Sequence, residues 1–352
     1  MGVGDKVKAK SLQIFSRQFA TMIEAGLSVV TALVILEQQT DDKALATIVD
    51  DVREQVEGGS LLSEAMSRYP NTFSRLYIAM VKAGESGGLL SDILDRLASF
   101  LESAARLKKK VKSAMTYPVI VILIAVAITT FLIVRVVPVF GEIFADFGAN
   151  LPAPTQFLLD VSGFIRGNWW IILLILGGAY YGLRTFVRTE RGRQLWDRWK
   201  LKLPIFGPLV HKICMTRFAR TFAQLIRSGV PILEVMEIVG DTSGNYVVEA
   251  AIKGVAADVE KGDHLTNALS RQPIVPPMLI RMVSAGESTG KIDTMLEKMA
   301  DFWDEEIEAI LDALTSLIEP LLIVVLGVIV GGIVIAMFLP IFKLNDVVSQ
   351  AK

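Results

Sequence analysis

The sequence predicts an all-α protein made of two homologous helical-bundle domains and three transmembrane helices. Three observations carry this. First, "FSRQFATMIEAGLSVV" (15–30) returns as "FARTFAQLIRSGVPIL" (218–233), placing Phe15, Arg17, Phe19, Ala20, Ile23 and Gly26 on Phe218, Arg220, Phe222, Ala223, Ile226 and Gly229. Self-similarity of this kind marks a duplicated structural unit. Second, apolar runs at 118–140 and 320–342 are long enough to cross a hydrocarbon core of about 30 Å as helices. Third, apolar residues elsewhere recur at three- and four-residue steps, as in Leu12, Phe15, Phe19, Met22 and Ile23, while strand-like alternation is scarce. The composition agrees. A chain of 352 residues that is 52% hydrophobic yet 21% charged, with a mean hydropathy of +0.48, separates its charge and its apolar residues into different segments.

Taken in order, 1–117 reads as the first bundle with a stalk helix. Gly26 suits a left-handed helix end and Ser28 opens the next helix; Gly229 and Pro231 repeat the pair. Phe15 and Phe19 read as core. The first span, 118–140, holds one charge, Arg135, near its far end, where it can reach the headgroups. Residues 141–168 read as a loop. The second span, 169–187, is shorter in apolar content than the usual ~20 residues, but Trp169 and Trp170 at one end and Tyr180 and Tyr181 at the other stand as interfacial anchors. Residues 188–319 repeat the bundle and stalk, 320–342 form the third span, and 343–352 a tail.

Basic residues set the orientation. Arg106, Lys108, Lys109, Lys110 and Lys112 precede the first span, and Arg184, Arg188, Arg191 and Arg193 follow the second. Between those spans Arg166 is the only basic residue from 141 to 168. Both bundles are therefore expected to be cytoplasmic, with the 141–168 loop and the tail external. The duplication requires the short middle span, because each outer span follows its bundle in the same sense. The first apolar run begins near 118, so no secretory signal peptide is expected.

The chemistry-bearing residues are sparse. A net charge of −1 gives no general attraction to nucleic acid. One cysteine, Cys214, excludes an internal disulfide and a cysteine-based zinc site. His211 and His264 form no ligand motif. "VSAGESTGKI" (283–292) looks like a phosphate loop, but the first glycine of that motif falls on Ala285, and Ile292 follows Lys291 where a hydroxyl must bind magnesium. The earlier copy, "VKAGESGGLL" (81–90), has no lysine at all. Both read as glycine turns between helices that Ser86 or Ser288 can cap, either as simple turns or as turns that also present Glu85 and Glu287 to a partner. No nucleophile–base pairing is present, so no catalytic, cofactor or metal site is expected. The acidic Asp301, Asp304, Glu305, Glu306 and Glu308 read as a solvated helix face, and Lys108, Lys109 and Lys110 at the matching place in the first copy predict stalk charge pairing with Asp304, Glu305 and Glu308. In the membrane, Glu319 at the lip of the third span and the small-xxx-small pair Gly327 and Gly331 are candidate helix-contact positions. A repeat-built transporter or channel is the alternative class; almost no polar residue in the spans could line its path.

The duplicated "SRQFATMIEAGL" and "ARTFAQLIRSGV", the paired "AGES[GT]G", "TYP" before the first span, "LKLPIFG" (201–207) and the ending "EPLLIVVLGVIVGGIVIAMFLPIF" closely resemble the inner-membrane platform proteins of type IV pili and type II secretion systems. The ending "MFLPIFKLNDVV" is closer to the pilus branch. The resemblance implies a non-enzymatic adaptor of the bacterial inner membrane, at least a homodimer, without cofactors. Its implied partners are a hexameric cytoplasmic assembly ATPase, the transmembrane helices of pilins or pseudopilins, other inner-membrane assembly proteins and the bilayer. It directs attention to Arg17, Glu85, Arg220 and Glu287 as ATPase-facing candidates, with Arg17 and Arg220 equally readable as salt-bridge partners within their own bundles. Family members carry a further cytoplasmic segment ahead of the first bundle, whereas here "MGVGDKVKAK" runs almost directly into it.

Overall fold

The computed structural model describes residues 7–146, 152–204 and 206–350, with the side chains at 144–146, 319 and 341–350 outside that description. Every regular element among the described residues is helical. The first bundle comprises α1 (Ala9–Glu24), α2 (Val29–Gln39), α3 (Lys43–Glu57), α4 (Leu62–Ser67), α5 (Arg75–Gly87) and the start of α6 (Leu90–Phe131). A π-helical turn, Leu132–Val136, leads into α7 (Val137–Asp146), and α8 (Ala153–Arg188) follows. The second bundle comprises α9 (Glu190–Lys202), α10 (Phe206–Arg227), α11 (Ile232–Thr242), α12 (Tyr246–Glu260), α13 (Leu265–Ser270), α14 (Pro277–Thr289) and the start of α15 (Ile292–Gln350). The chain divides into two compact units: Met1–Lys110 with Gln194–Glu308, and Val111–Arg193 with Ala309–Lys352.

The duplication is visible element by element. α1–α4 map onto α10–α13 with one constant offset, and α5 and α6 onto α14 and α15 with an offset one residue shorter. The slip falls in the loop between α4 and α5, "RYPNTFS", which becomes "RQPIVP" between α13 and α14. Gly26 and Gly229 adopt φ of 88° and 79° behind α1 and α10, a region open to glycine at no steric cost. Ser28 then caps α2 by accepting from the Thr31 N–H at 3.1 Å, and Pro231 is the residue before α11.

Both cores are built on the same aromatic step. Phe15 and Phe19 are buried with rings 5.7 Å apart, and Phe218 and Phe222 repeat the burial and the 5.7 Å spacing. The first bundle adds Phe73 and Tyr77, whose rings are 5.0 Å apart. Their equivalents are Val275 and Leu279, and those smaller side chains line a void of about 10 Å³ beside Phe218. The buried Tyr77 hydroxyl lies 3.2 Å from that of Ser16, and in the second bundle this polar pair becomes Leu279 and Ala219. A buried hydroxyl costs stability unless paired, so the two positions change together.

Val111–Arg193 with Ala309–Lys352 contains the apolar helices. Three helical stretches, Leu90–Ile143, Ala153–Arg188 and Ile292–Pro340, are long and apolar enough to cross a membrane. Two findings revise the sequence reading of this region. Residues 141–146 and 153–167 are helical instead of loop, continuing the first span and preceding the second. Gly141 permits this hairpin, since a Cβ there would meet Leu159 Cδ2 at 2.6 Å. Val137, Ile333 and Met337 bury one another beside Leu158 and Leu159, and Thr155 Oγ1 donates to the Ala336 carbonyl at 2.5 Å. The second span is the latter part of a longer helix, which kinks at Asn168 (φ −122°, ψ 17°) next to the predicted boundary. The π turn ends just before Pro138, whose missing N–H would leave an α-helical bond to the Val134 carbonyl unmade. The predicted tail 343–352 is helical as far as Gln350.

Candidate functional site

The repeated "AGES" phrase is the last turn of a helix, which corrects its reading as an open turn. Ala83–Gly87 closes α5, and only Gly88 turns, at φ 68°; Gly290 does the same behind α14 at φ 69°. The inner glycines have a different reason. A Cβ on Gly84 would lie 3.2 Å from Leu90 Cα, and one on Gly286 only 2.7 Å from Ile292 Cα, so each lets the next helix start against the last turn of this one. Ser86 and Ser288 lie inside their helices and cap nothing that follows; the Ser288 hydroxyl donates back to the Ser284 carbonyl at 2.8 Å.

Glu85 and Glu287 act at a distance in sequence. Glu85 Oε1 and Oε2 accept from the N–H groups of Leu62 and Ser63 at 2.5 and 3.0 Å, at the first turn of α4. Glu287 accepts from Leu265 and Thr266 at 2.9 and 3.2 Å, and from the Thr266 hydroxyl at 2.5 Å, at the first turn of α13. A carboxylate against those free donors favours the positive end of the helix dipole. Burial pushes the Glu287 carboxyl up, but the Thr266 hydroxyl and the two N–H donors outweigh it and hold it below the usual carboxylate range.

Arg17 and Arg220 lock the opening helix of each bundle to its stalk. Arg17 is bidentate to Glu102, with Nε and Nη2 at 2.6 and 2.9 Å, and also reaches Asp95 at 2.5 Å and Ser99 at 2.9 Å. Arg220 reaches Asp301 at 3.0 Å and Asp304 at 2.7 Å, the equivalents of Ser99 and Glu102. The two carboxylates respond in opposite senses. The hydrogen bonds from Arg17 hold Glu102 below its usual range. Burial, opposed by Arg220, raises Asp304, whose Oδ1 finds no hydrogen-bond partner among the described residues. All four ATPase-facing candidates are thus engaged inside their own bundles.

The stalk charges pair more selectively than the sequence predicts. Lys110 meets Glu308 at 2.5 Å, Asp304 goes to Arg220, and Glu306 pairs with Lys212. Lys108, Lys109 and Glu305 have no ion-pair partner among the described residues. No group of His, Cys, Asp and Glu able to hold a metal occurs among those residues. His211 Nε2 sits 2.6 Å from the Ile274 carbonyl, and burial pushes the Cys214 thiol up to about 11. In the membrane helices, Gly327 lines an apolar groove of about 420 Å³ with Tyr117, Val121 and Leu326. A Cβ on Gly327 or Gly331 would meet nothing within 4 Å. The Glu319 side chain lies outside the described residues.

Sequence reasoning missed Asp197. Buried in α9, it accepts from the Tyr246 N–H at 3.0 Å, while its carbonyl accepts from the Asn245 side chain at 3.2 Å. This fastens α9 to the start of α12. The only signal in sequence is an aspartate inside the otherwise basic and aromatic "QLWDRWK".

The family comparison finds the same duplication. The profile described as Type II secretion system (T2SS), protein F, matches 15–138 and again 218–340. The chain belongs to that family. The two matched segments begin at Phe15 and Phe218 and end at Pro138 and Pro340, so the family unit is one bundle with its stalk and its apolar run. Type IV pilus assembly protein PilC of Thermus thermophilus is 47% identical over 341 residues, covering 97% of this chain and 84% of the relative. PilC of Pseudomonas aeruginosa is 37% identical over 351 residues, covering 99% and 94%. Type II secretion system protein F of Vibrio cholerae is 33% identical over 345 residues, covering 98% and 85%.

Proposed function

We propose that this chain is a non-enzymatic platform of the bacterial inner membrane, coupling a cytoplasmic assembly ATPase to the insertion of pilin or pseudopilin subunits into a growing fibre. The observation that carries the reading is the join between bundle and span. α6 continues without a break from the first bundle into the first apolar run, and α15 does so in the second. A continuous helix transmits displacement better than a loop, and Arg17 and Arg220 tie each bundle to that helix. The names of the relatives, for pilus assembly and for type II secretion, support the assignment, with greater identity on the pilus side. The basic residues at 106–112 and 184–193 favour cytoplasmic bundles, which is where an ATPase partner would be met.

Glu85, Glu287, Arg17 and Arg220 serve that contact by shaping its surface, since their charges are already committed. Gly327 and Gly331, open on the membrane helices, fit close approach by the apolar helix of a pilin. The test is reconstitution of the full chain in lipid nanodiscs with the assembly ATPase of the same cell. The expected result is co-purification with the ATPase and no nucleotide turnover by the chain alone. Hydrolysis by the chain itself, or solute flux through it in vesicles, would overturn the proposal.

A further inference from the structure

The two bundles meet through unlike faces. The first contributes α5 and the start of α6, and the second contributes α10 and α11. α5 packs on α10; Arg75 contacts Glu237 and Asp241, each at 2.8 Å; and Arg96 Nη1 donates to the Arg227 carbonyl at 3.0 Å. A contact between two copies of one fold through different faces is heterologous, and it leaves one face of each copy unused. The unused faces here are α14 with the start of α15, and α1 with α2.

Burial follows this division. Leu76 on α5 is 3% exposed, whereas its equivalent Met278 on α14 is 48% exposed. Ala79 is buried, and its equivalent Arg281 is exposed. On the opposite faces, Thr221 and Leu225 are buried in α10, while Gln18 is exposed and Met22 half-buried in α1. The Arg75 ion pairs are not repeated, since the equivalents of Arg75, Glu237 and Asp241 are Pro277, Val34 and Gln38, but the second polar contact has charged residues at both equivalent positions. The equivalent of Arg96 is Lys298 and that of Arg227 is Glu24, both exposed. Arg281 and Lys298 on one open face, and Glu24 and Asp41 on the other, have no ion-pair partner among the described residues.

We propose that a second copy of this chain docks its α1–α2 face onto the α14–α15 face of the first, repeating between chains the contact that the two bundles make within one. The complementary charges, Arg281 and Lys298 against Glu24 and Asp41, select the second copy as occupant, and the internal contact supplies the geometry. The surface does not depend on which ATPase or fibre the platform serves.

The test uses the full chain with Cys214→Ala, co-expressing a Glu24→Cys copy and a Lys298→Cys copy with different tags. Mild oxidation is expected to link the two copies to each other, and neither variant to itself when expressed alone. In the native-cysteine background, Lys298→Glu is expected to weaken self-association by about tenfold, and adding Glu24→Lys to restore it. Both substitutions are at exposed positions outside the cores, so folding is retained. Disulfides formed by one variant alone would show a symmetric, like-face contact and overturn the proposal. So would failure of the mixed pair to link, or a charge reversal without effect.

Discussion

Tyr77 and Ser16 show how one buried polar atom constrains another. The Ser16 hydroxyl also donates to the Leu12 carbonyl at 2.8 Å, so Tyr77→Phe leaves it satisfied. Ser16→Ala instead strands a phenol hydroxyl in a fully buried site. The expected loss is about 1–3 kcal/mol for Ser16→Ala and less for Tyr77→Phe, while the double variant falls close to the second bundle's own apolar solution. A double-mutant cycle from denaturant melts measures the coupling. Gly286→Ala is expected to be harsher than Gly84→Ala, because its new methyl meets the Ile292 backbone Cα at 2.7 Å. Glu287 adds a pH dependence whose sign follows from its lowered value. The folded state prefers the ionised carboxylate, so this stabilisation is full above the ordinary value of 4.5 and is lost as pH falls through the folded value. Glu287→Ala should flatten that acid limb of a thermal melt, and an unchanged limb would show that the α13 cap contributes nothing.

At the scale of elements, the question is what holds α1 and α10 to the stalks. Arg220 is the better buried of the two arginines, and Asp304 behind it already has an oxygen without a partner. Arg220→Ala is therefore expected to cost about 2–3 kcal/mol and Arg17→Ala about 1–2, since the Arg17 side chain is itself 34% exposed against 17% for Arg220. Hydrogen exchange should rise in α10 and α15 for the first variant and in α1 and α6 for the second. Most of this architecture can be read from the sequence, because Gly26, Ser28, Gly229 and Pro231 carry their structural meaning in their own backbone preferences. The duplication also fixes which elements correspond. What escapes reading is long-range. Gly84 looks like a turn residue by type, yet its reason is the close start of α6. Glu85 looks free because the amides it caps lie on α4, far back in sequence. The close approach of the helix at 141–146 to that at 153–167 uses the space left at Gly141 for the Leu159 side chain, a contact that no local pattern announces.

For the whole molecule, the basic stretch before the first span has two separable roles, and the structure weights them. Lys110 pairs with Glu308, but both side chains are about half exposed, at 44% and 51%. Such a pair contributes about 0–1 kcal/mol and is screened by salt, so Lys110→Glu alone should shift a melt slightly at low ionic strength and not at high. Lys108 and Lys109 have no ion-pair partner among the described residues, so their charge is available to retain this end of the span on the side proposed to be cytoplasmic. Reversing Lys108, Lys109 and Lys110 together to Glu is therefore expected to do more than the lost pair accounts for. It should place part of the population with its amino-terminal bundle on the wrong side of the membrane. Labelling intact cells with an impermeant thiol reagent, on a cysteine added at exposed Lys82, reads that fraction directly. The unmodified stretch should give no labelling and the reversed one a measurable signal. Equal protection in both would mean that Arg106 and Lys112 suffice, or that the second span's basic flank dominates. Adding Arg184→Glu and Arg188→Glu separates those two outcomes.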